Sequence, residues 1–97
     1  MKIEHIAIWT KDLETMKAFY LEFFDLRPNE KYHKPRKEFS SYFLAFENGA
    51  RIELMHRPDI AGLQEKPGFK LGLTHFAISV GTKENVASLT ERIREKG

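Results

Sequence analysis

Apolar and polar residues alternate along residues 3–10 in the period-two pattern of a strand. The period then changes. Asp12 stands where a helix N-cap belongs, and Leu13, Met16, Phe19/Tyr20 and Phe23/Phe24 form a helical stripe that predicts a core face. Pro28 ends that region. Residues 29–34 read as a strongly charged strand, suited to a sheet edge. Ser41 to Phe46 is an aromatic-rich strand, and Asn48-Gly49 predicts a hairpin turn into a strand over 50–57. From Pro58 to Gly72 the chain carries two prolines and the glycines Gly62, Gly68 and Gly72, the composition of a linker. A further strand is predicted over 73–80 and a helix from Lys83 to Lys96, closed by Gly97. The order is β-α-β-β-β, linker, β-α.

The two halves repeat one another. Glu4-His5-Ile6-Ala7-Ile8 and Thr74-His75-Phe76-Ala77-Ile78 are near-identical strand openings, offset by 70 residues (75 − 5). The same offset aligns Met16, Phe19 and Phe23 with Val86, Leu89 and Ile93. A strand–helix unit is therefore duplicated together with its histidine. Strands alternate faces, so Ile6 and Ile8 point one way and His5 and Ala7 the other. Phe76, Ile78 and Val80 likewise oppose His75, Ala77 and Ser79, and Ile52 and Leu54 oppose Arg51, Glu53 and Met55. In three strands the bulky apolar set is free to pack on helices, and one ionisable residue falls on the opposite side. A sheet curled around that second face would gather His5, Glu53 and His75.

Composition narrows the chemistry. Ninety-seven residues make one domain, with 41% hydrophobic and 12% aromatic residues, ordinary for a folded chain. There is no cysteine, which excludes disulfides, thiolate nucleophiles and sulfur-ligated zinc. A metal would have to be held by nitrogen and oxygen. Two imidazoles and a carboxylate suit Zn²⁺, Ni²⁺ or Co²⁺, with Fe²⁺ a poorer fit. The net charge of +2 is too small to imply nucleic acid. The absence of a long apolar run or leader pattern leads to the expectation of a cytoplasmic protein that binds no membrane. No phosphate-binding glycine pattern or serine-hydrolase motif occurs.

His5-Ile6-Ala7-Ile8 with the helix through Phe19-Tyr20, then Ile52-Glu53-Leu54, then His75-Phe76-Ala77-Ile78-Ser79-Val80, together resemble the vicinal-oxygen-chelate superfamily. That group includes glyoxalase I, bleomycin-resistance proteins and extradiol dioxygenases. The resemblance implies an α+β fold of paired βαβββ modules whose mixed sheets form a cup around a divalent metal. Residues 1–57 would be the first module, 58–72 the linker and 73–97 the start of a second, truncated to β-α. It also implies His5, Glu53 and His75 as metal ligands, by position those of glyoxalase-I-like members on their first, fourth and fifth strands. The fourth ligand, a glutamate on the family's last strand and often its catalytic base, has no counterpart here. Glu53 is then the carboxylate left to serve as base. The implied function is a glyoxalase-I-like lyase or isomerase that works through an enediolate on a small oxygen-chelating substrate. The alternatives are an acyl-thioester epimerase, or a metal-free antibiotic-binding protein of the same fold. Extradiol dioxygenases fit less well, since no fourth-strand glutamate is expected of them. The strands missing after Gly97 point to a homodimer in which another chain covers the gap, or to a chain cut short.

Plainer readings stand beside these. The duplication alone is compatible with a conserved packing position for the two histidines. Glu53 has Arg51 or Lys70 as possible ion-pair partners. His33 and His56 read as structural. The run Lys31-Tyr32-His33-Lys34-Pro35-Arg36-Lys37 is a solvated edge or a recruiter of an anionic substrate such as a glutathione adduct. Trp9 and Met55 share faces with His5 and Glu53, which makes them core residues or an apolar wall of the pocket.

Overall fold

Asp12 begins the first helix as its side chain dictates. In a computed structural model, which describes residues 1–60, 71–73 and 75–96, its backbone is extended and its carboxylate accepts the Thr15 amide at 3.1 Å. One of the amides that a helix leaves open at its start is thereby satisfied. Helix α1 runs Leu13–Phe23 and stops where Phe24 turns extended. Leu13 and Phe23 are buried, whereas Met16, Phe19 and Tyr20 are half-buried, so the ends of the predicted stripe reach deepest into the core. Leu26, just past the helix, is buried as well.

The described residues fall into two units, Met1–Ala61 and Gly62–Gly97. The first contains one mixed sheet of β1 (His5–Trp9), β2 (Arg27–Pro28), β3 (Tyr32–Lys34), β4 (Phe39–Ala45) and β5 (Arg51–His56). The order is β1-β5-β4-β2, with β3 also paired to β4. β1 runs parallel to β5, and the other pairs are antiparallel. Helix α1 lies over β4 and β5. Tyr42, Leu44, Ile52 and Leu54 face it and form the core with Leu13, Phe23 and Leu26. Leu44 and Leu54 have no exposed surface at all. Burial of each contributes about 1.5–3 kcal/mol. Gly49, in the turn between β4 and β5, has φ +89°, which an L side chain adopts only with strain.

The charged edge differs in detail from the single strand expected over 29–34. β2 and β3 line the same side of β4. Residues 29–31 between them oppose only Tyr42 and Phe43, so the edge carries one extra residue. This is a β-bulge, with Pro28 just before it; both features discourage another strand from adding there. Asn29 anchors the bulge: its side-chain oxygen accepts the Phe43 amide at 2.8 Å, and its own amide donates to the Phe43 carbonyl at 3.0 Å.

In the second unit, the strand expected over 73–80 is corrected. Residues 75–80 keep its alternation, with His75, Ala77 and Ser79 exposed and Phe76, Ile78 and Val80 partly covered. They carry no ladder, because a strand is made by its pairing and this unit has no second strand among its described residues. Gly81 follows with φ +97°. A Cβ there would meet the Asn85 amide nitrogen at 2.9 Å, the group that donates to the Val80 carbonyl. Thr82 caps helix α2 (Lys83–Lys96) by accepting the Asn85 amide at 3.2 Å. No residue of α2 is buried; Val86 is 51% exposed, and Leu89 and Ile93 are half-exposed. Most of the expected linker, residues 61–70, and the closing Gly97 lie outside the described residues.

Candidate functional site

The sheet face turned away from α1 is ordered into rows by its register. Ala7, Glu53 and Phe43 stand side by side on β1, β5 and β4. The next row is Trp9, Met55, Ser41 and Tyr32, on β1, β5, β4 and β3. His5 lies on the other side of the Glu53 row, opposite Arg51. Alternation therefore places His5 and Glu53 on one surface as diagonal neighbours, as the sequence implies.

Their side chains meet. His5 Nε2 is 3.6 Å from Glu53 Oε1, with His5 38% and Glu53 15% exposed. That separation is long for a hydrogen bond. It is close to the ~3.4 Å that separates two donors of one tetrahedral metal ion. The other ring nitrogen is fixed. His5 Nδ1 lies 3.1 Å from Glu4 Oε1. Glu4 is held well below the carboxylate range, at about 2, by the Arg51 guanidinium first and then by His5. An ionised carboxylate only accepts, so Nδ1 carries a proton, and it is the tautomer with a free Nε2 lone pair facing Glu53 that a metal would use. Arg51 braces Glu4 through two bonds, Nε to Oε2 at 2.9 Å and Nη2 to Oε1 at 2.5 Å. It also lies 4.2 Å over the Phe43 ring, whose centroid is 5.1 Å from that of His5 in an edge-to-face arrangement. The suggested Arg51–Glu53 pair is thus replaced by Arg51–Glu4. The other suggested partner, Lys70, lies outside the described residues.

Two of the three expected ligands are brought together in the first unit. His75 stands exposed in the second. Among the described residues no three His, Cys, Asp or Glu side chains converge as ion ligands. The His5/Glu53 pair fits half of a metal site: one fixed imidazole lone pair and one largely covered carboxylate. His33 and His56 have structural partners, Ser40 Oγ at 2.8 Å and the Thr10 carbonyl at 3.1 Å. Both lie at the end of the face that α1 covers, in register through Ser40.

Sequence reasoning singled out Trp9 as a possible pocket wall and Tyr32 within the basic run, but missed Glu4, Phe43 and Phe39. Trp9 and Tyr32 flank Phe39, with ring centroids 6.2 and 6.0 Å from it, and Ser41 beneath is only 2% exposed. The signal for Phe43 was present in the parity of the aromatic-rich strand read over Ser41 to Phe46; Phe39 falls on the same face because β4 begins at Phe39. Arg51 and Glu4 became legible only through the β1–β5 register.

No helix among the described residues is long and apolar enough to cross a membrane. No curated protein matches the chain. A family model does, over residues 2–97, and its α+β architecture agrees with the mixed sheet and helices described above. The chain belongs to the Glyoxalase/Bleomycin resistance protein/Dioxygenase superfamily.

Proposed function

We propose that the chain is a metal-dependent lyase or isomerase of the glyoxalase I kind, with His5, Glu53 and His75 as ligands and Glu53 as its base. The observation that carries this reading is the His5 Nε2–Glu53 Oε1 approach of 3.6 Å, with Nδ1 already committed to Glu4. A divalent ion such as Zn²⁺, Ni²⁺ or Co²⁺ would supply Lewis acidity toward two adjacent oxygens of a small substrate. The protein's own groups do the rest. Glu4 and Arg51 hold the imidazole in one tautomer and orientation. Phe43 seats its ring and removes water from one side. Glu53, mostly shielded from solvent, accepts a carbon-bound proton on a carboxylate oxygen and can return it to a neighbouring carbon.

The test is calorimetric titration of Ni²⁺ and Zn²⁺ into chelator-stripped protein, beside His5→Ala, Glu53→Gln and His75→Ala. Stoichiometric binding that each substitution weakens supports the reading. Wild-type protein that takes up neither ion, or variants that bind as tightly, would overturn it. The exposed aromatic row favours one other reading, a metal-free small-molecule binding protein. The same titration separates the two.

A further inference from the structure

The face that carries His5 and Glu53 holds a second concentration of binding chemistry which the metal ligands do not use. Trp9 is 43% and Tyr32 52% exposed, on either side of half-buried Phe39. Their mutual angles are steep, 90° for Trp9–Phe39 and 64° for Tyr32–Phe39, so the rings are not stacked on each other. Singly exposed aromatics need no explanation, but a contiguous trio on one sheet face marks a surface that takes a ligand.

Cations gather at the same end of the sheet. Lys34 is the cross-strand partner of Phe39. Arg36, Lys37 and Glu38 lead into Phe39 and line an open hollow of about 720 Å³ with Arg57, Pro58 and Asp59. Arg57 is neutralised by Asp59, through bonds of 2.9 and 2.5 Å. Lys31, earlier in the same basic run, is occupied by Glu14 at 3.0 Å. Lys34, Arg36 and Lys37 have no acidic partner among the described residues. Three uncommitted cations beside three aromatic rings recognise an organic anion with a flat apolar body.

We infer that Trp9, Phe39 and Tyr32, with Lys34, Arg36 and Lys37, form a subsite for the tail of such an anion. The inference rests on the function proposed above. Glu53 and Met55 are successive residues on one face of β5, so roughly 7 Å separates the Glu53 row from the aromatic row. A molecule whose oxygen-bearing head reaches Glu53 therefore extends an apolar body over Met55 and Ser41 and a carboxylate or phosphate toward the basic end.

Trp9 is the one tryptophan of the chain, so its indole N–H resonance reports on the subsite directly. Chelator-stripped protein would be titrated with 2-naphthoate and, separately, with neutral 2-naphthalenemethanol. The expected result is a saturable shift with naphthoate. Its affinity should fall about five-fold or more for the neutral compound, for Tyr32→Ala, and for Arg36→Ala combined with Lys37→Ala. Tyr32, Arg36 and Lys37 are exposed, so these variants keep the fold. Lys17→Ala, which removes a cation of α1 beside Tyr42 on the other face of the sheet, should bind naphthoate as the wild type does. Absence of a saturable shift, equal binding of the neutral compound, or equal weakening by Lys17→Ala would each overturn the inference. Naphthoate binding by a protein that takes up no metal would overturn the lyase reading and leave the subsite standing.

Discussion

Glu4 shows how a single exposed carboxylate can fix the chemistry of a neighbour. It accepts two bonds from Arg51 and one from His5 Nδ1, and Arg51 is itself held in place over Phe43. Removing the charge without changing the shape isolates the effect. In Glu4→Gln the terminal amide can donate to Nδ1 as readily as accept from it, so the tautomer is no longer dictated. Metal affinity is expected to fall about 10–100-fold, as for other orienting partners of a ligand histidine. The circular dichroism spectrum should stay unchanged. Calorimetry that gave wild-type affinity for Glu4→Gln would show that Glu4 does not orient His5. The pairing of His5 with Glu53 was legible in strand parity, because one face was apolar and the other was not. Glu4 was not legible: it adjoins His5 in sequence, and its role depends on Arg51, which only the parallel register brings opposite.

At the scale of elements, helix α1 is held to the sheet by packing and by one polar latch. Tyr42 is buried on β4 and donates to both Glu14 oxygens at 3.0 Å, while Lys31 in the bulge pairs with the same carboxylate. Lys17 sits 4.2 Å over the Tyr42 ring. Tyr42→Phe keeps the core volume and removes the bond, so a loss of about 1 kcal/mol is expected by urea denaturation, small because Glu14 is well exposed. Leu54→Ala instead leaves a cavity in the core and should cost about 2–5 kcal/mol. A Leu54→Ala protein within 1 kcal/mol of wild type would place the core elsewhere.

The latch also carries a pH dependence. The Lys31 pairing first, aided by Tyr42, lowers the Glu14 carboxyl below its ordinary value. A depressed carboxyl stabilises the fold above the unfolded-state value of 4.5, and that contribution disappears as pH falls through the folded-state value. Wild type should therefore lose stability faster than Glu14→Gln below pH ~4.5. Parallel curves for the two proteins would remove Glu14 from the latch. The Asp12 cap, α1 and the β4–β5 hairpin were legible from local chemistry. The bulge at 29–31 was not, because an extra residue shows only against the partner strand's register. Residues 75–80 had a legible face pattern, but no sequence pattern states whether a partner strand is present.

For the whole molecule, the duplication bears on how the proposed third ligand, His75, would reach the His5/Glu53 pair. Among the described residues, the first unit buries a core under α1, and no residue of α2 is buried. β1 is an edge of its sheet among the described residues. The homodimer expected from the sequence remains a proposal, and it is open to direct measurement. Light scattering should then give about twice the 11.4 kDa of one chain. Complementation tells whether the ligands come from one chain or two. His5→Ala and His75→Ala are each expected to lose stoichiometric metal. If His75 reaches the pair from the partner subunit, a mixed dimer of the two variants contains one site with every ligand intact and one with both histidines missing. Random mixing and reassociation should then recover about a quarter of the wild-type sites. If the three ligands come from the same chain, mixing recovers none. A dimer whose mixed variants stay metal-free would keep the proposed ligand set and rule out sharing between subunits. A monomer that binds stoichiometric metal would rule out the homodimer itself.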